Sequence, residues 1–116
     1  MHKIYYLNSC STCTRIITEL GLKNKNFEFQ DIKTEKITSA QLAEMKKMAG
    51  SHEALFSRIA MKYLALGLDK KQLTEDDYKK YILEEYTFLK RPVIIIRSKQ
   101  FVGNSKSTIA AAKAEL

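Results

Sequence analysis

Hydrophobic and polar residues are arranged along the first third of the chain in patterns that predict a strand, a helix and a second strand. Residues 4–7 form a short apolar run, which predicts a buried strand over residues 3–7. From about Thr12 to Leu20 the apolar positions recur at helical spacing, and Gly21 fits a helix C-cap. Residues 27–32 alternate with a period of two, which predicts a strand. A right-handed crossover would make this strand parallel to the first.

The middle of the chain has helical spacing and no strand pattern. One helix should begin after Thr38 or Ser39 and end at Gly50, and a second helical stretch should cover residues 51–67. Residues 74–77 read as a capping box that opens a further helix. Three methionines at helical spacing are predicted to lie in the core: Met45, Met48 and Met61.

The last third predicts a β-hairpin and a closing helix. The only proline of the chain, Pro92, precedes its most β-prone run, and residues 93–102 should form a hairpin that turns at 98–100. Ser105 is a plausible cap for a helix over about 108–116. The predicted order of elements is therefore βαβ, a run of helices, and ββα.

Composition limits the classes of protein to which the chain could belong. Its 116 residues, 45% hydrophobic and 28% charged, fit one globular domain, and no apolar run approaches the length that crosses a bilayer. The N-terminus enters a strand directly, so no signal peptide is expected and the cytoplasm is the expected location. The net charge of +7 comes mainly from scattered lysines, which do not predict direct nucleic-acid binding. An acidic protein partner or a small anionic substrate is compatible with this charge.

The strongest chemical signal is a CxxC motif at the predicted junction of strand and helix. It contains the only two cysteines, Cys10 and Cys13, separated by Ser11 and Thr12. Helix N-termini and CxxC motifs can lower a thiol pKa from about 8.5 to roughly 3.5–7.5, which favours the nucleophilic thiolate at Cys10. Cys13 is placed to resolve a mixed disulfide, and Arg15 is a candidate electrostatic helper one turn further on. The motif therefore predicts a redox site.

Two other interpretations of the cysteines compete with this one. A closed zinc site needs four N or S ligands, and the chain offers only His2 and His52 besides the cysteines. His52 is in any case expected to be a surface residue. The two thiols could also be inert core residues, because free cysteine often packs as a small hydrophobe. Four polar neighbours argue against inert packing: Asn8, Ser9, Ser11 and Thr12.

Three segments together resemble the arsenate reductase (ArsC)/Spx family over essentially the whole chain: residues 6–13, 89–94 and 101–104. The resemblance implies an α/β fold of the thioredoxin-like, glutaredoxin-type βαβ–ββα order with a helical insertion between the halves. In a single domain over residues 1–116, the thioredoxin-like parts would cover about 1–34 and 87–116. The insertion would cover about 38–86.

The resemblance also implies roles for particular residues. Cys10 matches the family's nucleophilic cysteine, and Pro92 matches a cis proline that turns Arg91 toward the thiolate. Arg91 and Arg58, the latter expected in the mid-chain helix, match two of the three arginines that surround the oxyanion in glutaredoxin-linked arsenate reductases. The third falls at or near Asn104, and an asparagine cannot supply a charged fork. Lys106, on the same turn, is the cation that could compensate.

Two further departures separate this chain from those reductases. Tyr6 stands at the family's histidine position, and Cys13 stands where the glutathione-dependent enzymes generally have serine. The Spx-like branch has the CxxC motif and includes redox-sensing regulators that bind the RNA polymerase α subunit. The expected function is thus an ArsC-like thiol–disulfide oxidoreductase, with a redox-sensing regulator as the alternative.

The oxidoreductase is expected to bind no cofactor, because the sequence has no flavin or nicotinamide motif. An external reductant would regenerate the dithiol, either glutathione with glutaredoxin or thioredoxin. Its substrate would be a small oxyanion or a protein disulfide, and no membrane partner is expected.

Overall fold

The computed structural model describes residues 1–116 as four strands and five α-helices. The strands are β1 (His2–Tyr6), β2 (Glu28–Asp31), β3 (Val93–Ile96) and β4 (Lys99–Val102). The helices are α1 (Ser11–Leu20), α2 (Ser39–Ala49), α3 (Met61–Ala65), α4 (Glu75–Glu84) and α5 (Lys106–Ala114). The chain divides into a first unit, residues 1–36 with 91–116, and a second unit, residues 37–90.

The first unit contains a single mixed sheet in the order β2–β1–β3–β4. β1 and β2 are parallel, as the crossover through α1 predicts, and β3 is antiparallel to both β1 and β4. Aliphatic residues of the central strands and of α1 and α5 form the core beneath this sheet. Ile4 and Ile94 are fully buried there and face each other across β1 and β3. Burial of these apolar side chains is the main force that holds α1 and α5 to the sheet.

Local sequence signals correctly predicted how several helices begin and end. Thr38 and Thr74 form capping boxes at the starts of α2 and α4, and the Ser105 side chain accepts a hydrogen bond from the first turn of α5. Gly21 ends α1 with a φ of 65°, a left-handed conformation that glycine adopts without the clash of a Cβ atom. These features depend on residues close together in the chain, which is why the sequence predicts them.

An aromatic cluster lies at the centre of the second unit. The fully buried Phe56 ring stacks on Phe88, with ring centroids 5.0 Å apart, and lies 4.9 Å from the Tyr78 ring. Tyr63 contacts Phe56 edge-on at 6.0 Å. Aromatic pairs at these distances are favourable beyond their burial. The cluster joins segments that are distant in sequence, because Phe56 lies between α2 and α3, Tyr78 lies in α4, and Phe88 lies between α4 and β3.

The predicted helical stretch over 51–67 is wrong at its centre. A short 3₁₀ turn (Glu53–Leu55) is followed by extended backbone at Phe56, which forms an isolated antiparallel bridge with Leu89. Ser57 N donates to the carbonyl of Phe88 at 2.7 Å, and Lys90 N donates to the carbonyl of Leu55 at 2.9 Å. These non-local hydrogen bonds outweigh the modest helical preference of the segment. Helix resumes only at α3.

The exposure of two methionines also contradicts the prediction. Met45 is fully buried, but Met48 and Met61 are 38% and 89% exposed. α3 buries none of its residues, because its apolar positions Met61 and Leu64 share one helical face that points to solvent. Helical spacing of apolar residues does not by itself indicate whether a helix packs against another element of the fold.

The end of the chain follows the prediction with shifted boundaries. β3 and β4 form the expected hairpin, but its turn lies at residues 97–98 rather than 98–100. Arg97 adopts a positive φ of 58° there. The closing helix begins two residues earlier than expected, directly after its Ser105 cap. None of the helices combines the length and the apolarity needed to cross a bilayer.

Candidate functional site

Cys10 occupies the N-cap position of α1. Its backbone is extended, with φ −92° and ψ 114°; its N–H donates to the carbonyl of Leu7 at 3.0 Å, and its own carbonyl accepts from Thr14 N at 3.1 Å. The first N–H groups of a helix have no partners within the helix and point toward the cap. Here the backbone N–H groups of Thr12 and Cys13, at the second and third positions of the helix, lower the pKa of the Cys10 thiol. The helix start therefore surrounds the sulfur with donors.

These donors favour the anionic form of Cys10. Partial burial acts to raise the pKa of the Cys10 thiol, but it is outweighed by hydrogen bonds from the backbone and thiol of Cys13 and from the backbone of Thr12. The positive charge of Arg91 lowers the pKa further, and the net result is a pKa below that of an ordinary thiol. Because the thiolate is the reactive form of cysteine, Cys10 has the properties of a nucleophile.

Cys13 has the opposite character. It is 1% exposed, and this burial is the largest cause that raises the pKa of its thiol to about 11. The charge of Cys10 and the hydrogen bond between the two sulfurs also raise it, whereas the backbone of Leu7 and the charge of Arg91 lower it. Both cysteines are free thiols in this structure. Cys13 is thus the protonated partner that donates a hydrogen bond to Cys10.

Arg91 reaches the cysteines because β1 ends where the neighbouring strand β3 begins. β1 and β3 are antiparallel with Tyr5 opposite Val93, so the loop after β1 lies beside the residues that precede β3. The peptide bond between Arg91 and Pro92 is cis, as the resemblance implies, and the Pro92 carbonyl accepts a hydrogen bond from Gly103 N at 2.9 Å. The structure therefore brings together Cys10, Cys13 and Arg91, and Pro92 follows Arg91 through the cis peptide bond.

Other predicted residues of the first unit lie around α1 and after β4. Thr12 contributes its backbone N–H to Cys10, whereas the Ser11 carbonyl accepts from the Thr14 hydroxyl at 3.0 Å. The exposed side chain of Arg15 pairs with Glu19 at 3.3 Å along the same helix. Asn104 is exposed in the segment between β4 and α5. The roles of Ser11, Arg15 and Asn104 toward a substrate stay predictions.

Arg58 belongs to the second unit and lies in a turn, not in the mid-chain helix that was predicted. The extended backbone at Phe56 interrupts the helix before it reaches this residue. Its Nη2 atom donates to Glu53 Oε2 at 2.7 Å and to the hydroxyl of Tyr78 at 2.8 Å. Neither contact was predictable from the sequence, because no local pattern indicates that the Arg58 side chain lies beside Glu53 and Tyr78. The role of Arg58 toward Cys10 stays a prediction.

His52 is less exposed than expected for a surface residue. Its side chain is 12% exposed, and Nδ1 lies 3.2 Å from Glu75 Oε1. The same carboxylate accepts the backbone N–H groups of His52 and Glu53, at 2.6 and 3.1 Å. His52 therefore helps to link the 3₁₀ turn to the start of α4. No group of three or more His, Cys, Asp or Glu side chains is arranged to hold a metal ion.

The sheet order and the CxxC motif at the start of the first helix define a thioredoxin-like protein, as predicted. The profile of the ArsC family matches residues 5–112. The chain belongs to the ArsC family.

Solved structures with low sequence identity have the same fold. The YffB (PA3664) protein is 23% identical, with a TM-score of 0.81 over 97% of this chain and 98% of its own. An arsenate reductase from Vibrio cholerae is 16% identical, with a TM-score of 0.79 over 95% of each chain. An arsenate reductase (ArsC) related protein from Brucella melitensis is 22% identical, with a TM-score of 0.73 over 95% of this chain and 92% of its own. No curated protein sequence matches this chain.

The opposite environments of the two sulfurs predict different pH dependence of their alkylation. In the wild type, the rate at Cys10 should rise with pH and level off below the pH expected for an ordinary thiol, whose pKa is about 8.5. Cys13 should react slowly until the pH nears its pKa of about 11. Iodoacetamide labelling followed by peptide mass analysis measures both rates. Similar curves for the two thiols, both centred near pH 8.5, would contradict the assignment.

Proposed function

We propose that the chain is a thiol–disulfide oxidoreductase in which Cys10 attacks the substrate and Cys13 resolves the intermediate. The observation that supports this most strongly is the pairing of two thiols with opposite pKa shifts at one helix N-terminus. A lowered pKa suits an attacking group, and a buried, protonated neighbour is protected from reacting first. Membership of the ArsC family agrees with this chemistry.

The proposed reaction with a disulfide has two exchange steps. The Cys10 thiolate attacks one substrate sulfur, forms a mixed disulfide and releases the other sulfur as a thiolate. Cys13 then loses its proton and attacks the Cys10 sulfur, which forms the Cys10–Cys13 disulfide and releases the second substrate thiolate. The substrate gains two electrons and the protein loses two. Glutathione with glutaredoxin, or thioredoxin, is the proposed external source that returns them.

Formation of the mixed disulfide itself activates the second step. Burial is the main cause of the raised pKa of Cys13, and the charge and hydrogen bond of the Cys10 thiolate raise it further. Once Cys10 is bonded to substrate, that charge and that hydrogen bond disappear, whereas the Leu7 backbone and Arg91 still favour the anion at Cys13. The pKa of Cys13 should therefore fall at the moment when its thiolate is needed.

Arsenate reduction is one form of this proposal. The Cys10 thiolate would attack arsenic(V) and form a sulfur–arsenic bond, while one oxygen takes up two protons and leaves as water. Attack of the Cys13 thiolate on the Cys10 sulfur would then break that bond, form the Cys10–Cys13 disulfide and leave the bonding electron pair on arsenic, which departs as arsenite.

Arg91 would stabilise the oxyanion beside Cys10. The family resemblance adds Arg58 as a second proposed anion-binding arginine. Asn104 in place of a third arginine supplies no charge-assisted fork, and Lys106 is the candidate cation to compensate.

Turnover measurements with Arg91 variants test this proposal. With glutathione and glutaredoxin or with thioredoxin present, wild-type protein should reduce a low-molecular-weight disulfide, and arsenate should oxidise Cys10. Arg91→Ala should lower the rate by about tenfold or more, because hydrogen bonds to charged groups contribute roughly 1.5–3 kcal/mol. Arg97→Ala removes an equal charge from an exposed arginine that pairs with Glu115 and serves as the control. Absence of turnover with every thiol donor would defeat the enzymatic proposal.

A redox-switched binding protein is the second candidate, and the CxxC motif is the feature that favours it. In this case the Cys10–Cys13 disulfide would change a surface that the RNA polymerase α subunit binds, as in Spx-like regulators. A binding assay with purified α subunit and with the reduced or the oxidised protein distinguishes the two functions. Capture that depends on the disulfide supports the regulator, and equal lack of capture in both states removes its basis.

A further inference from the structure

The Arg58 guanidinium is held in place before any ligand arrives. Its Nη2 atom donates to Glu53 Oε2 at 2.7 Å and to the Tyr78 hydroxyl at 2.8 Å. The guanidinium carbon lies 5.6 Å from the centre of the Tyr78 ring. These contacts orient the group while leaving the side chain 45% exposed.

The contacts with Glu53 and Tyr78 use Nη2 of Arg58, the nitrogen that takes part in every bidentate contact of a guanidinium with an oxyanion. A guanidinium presents two N–H forks, Nε with Nη2 and Nη1 with Nη2, because Cδ blocks the third edge. Both forks include Nη2. That nitrogen has two hydrogens, and the structure gives it two acceptors, Glu53 and Tyr78. A bidentate contact with an oxyanion therefore requires one of the two acceptors to leave.

Glu53 is the acceptor that can leave. The Tyr78 side chain is part of the aromatic cluster, with only 7% of the residue exposed and its ring 4.9 Å from that of Phe56. The Glu53 side chain is 55% exposed and can turn into water. Exposed ion pairs of this kind are weak, which makes their exchange for another anion feasible.

We propose that Glu53 is an internal competitor for the anion site at Arg58. In the absence of ligand its carboxylate orients the guanidinium, and a bidentate oxyanion binds by displacing it. Glu53 is thus a positioning residue that raises the concentration of anion needed to occupy Arg58. This inference rests on the anion-binding role proposed above for Arg58.

Direct binding of arsenate tests the competition without any turnover. Calorimetric titrations use a Cys10→Ser background, so that no redox reaction follows binding. Glu53→Gln should bind arsenate about two- to fivefold more tightly, the range expected when an exposed ion pair is removed. Arg58→Ala should bind it about tenfold more weakly or worse. Glu44→Gln, which removes an equal charge from an exposed position on α2, should leave the affinity unchanged.

The direction of the change in arsenate affinity distinguishes competition by Glu53 from the loss of a structural contact. Loss of a merely structural contact would weaken binding, so tighter binding by Glu53→Gln cannot be attributed to damaged structure. In a protein with Cys10 intact, the same variant should lower the KM for arsenate and leave kcat unchanged. Weaker or unaltered binding by Glu53→Gln, with a clear loss in Arg58→Ala, overturns the competition and leaves the proposed function standing. No loss in Arg58→Ala, or no arsenate binding by any variant, overturns both the inference and the anion-binding role of Arg58.

Discussion

Replacing Cys10 with serine should abolish thiol–disulfide turnover, with a loss of about 10⁴-fold or more, as is seen when an enzyme loses its nucleophile. The hydrogen bonds from the backbone of Thr12 and Cys13, and the charge of Arg91, would still favour an anion at position 10. A serine hydroxyl nevertheless stays protonated at neutral pH, and it cannot form a disulfide. The rate of disulfide reduction with a saturating external thiol donor measures the loss.

Cys13→Ser is the matched control, because it is the same substitution three residues away. This variant retains the attacking thiol and should accumulate the mixed disulfide on Cys10, which intact-protein mass detects as an added substrate mass. Circular dichroism should verify that the Cys13→Ser variant is folded, because position 13 is 1% exposed and a serine there places a hydroxyl in the core. Turnover by Cys10→Ser at a rate near that of the wild type would remove Cys10 from the mechanism.

Phe56→Ala should lower the free energy of unfolding by about 3–5 kcal/mol, the usual cost of removing a buried phenylalanine ring. Phe56 is fully buried and its ring contacts those of Phe88, Tyr78 and Tyr63. The loss is large beside the total stability of a typical domain, about 5–15 kcal/mol. Urea unfolding followed by far-ultraviolet circular dichroism measures the change.

Ile59→Ala provides a control from the same segment. Ile59 is 91% exposed, so its truncation should change the free energy of unfolding by less than about 0.5 kcal/mol. The comparison separates burial from position in the sequence, because the two residues are three apart. Equal effects of the two substitutions would contradict the burial assigned to the Phe56 ring.

The parts of the fold that the sequence predicts are those set by nearby residues. The cap at Thr38, the capping box at Thr74, the glycine C-cap and the CxxC motif before α1 all involve residues within one helical turn. Phe56 shows the limit of such reasoning. Its bridge to Leu89 joins residues 33 positions apart, and no local pattern in 51–67 reveals that this pairing will interrupt a helix.

In the candidate site, too, some features were predictable from nearby residues and others depend on contacts between distant segments. The position of Cys10 at a helix start was predictable from local pattern, and the family resemblance supplied Arg91 and Pro92. The Leu7 backbone contact with Cys13 was not predictable, because it depends on how the loop folds back. The contacts of Arg58 with Glu53 and Tyr78 depend on the turn that replaces the predicted helix.

The pairing of β1 with β3 has a consequence for the protein during its synthesis. β1 is made first, yet its antiparallel neighbour comprises Val93–Ile96, near the other end of the chain. A nascent chain that has not yet reached β3 also lacks Arg91, so the charge that helps to lower the pKa of Cys10 is absent. Cys10 therefore leaves the ribosome long before its surroundings are complete. The full thiolate character of this residue emerges only after the segment with Arg91 and β3 has been translated.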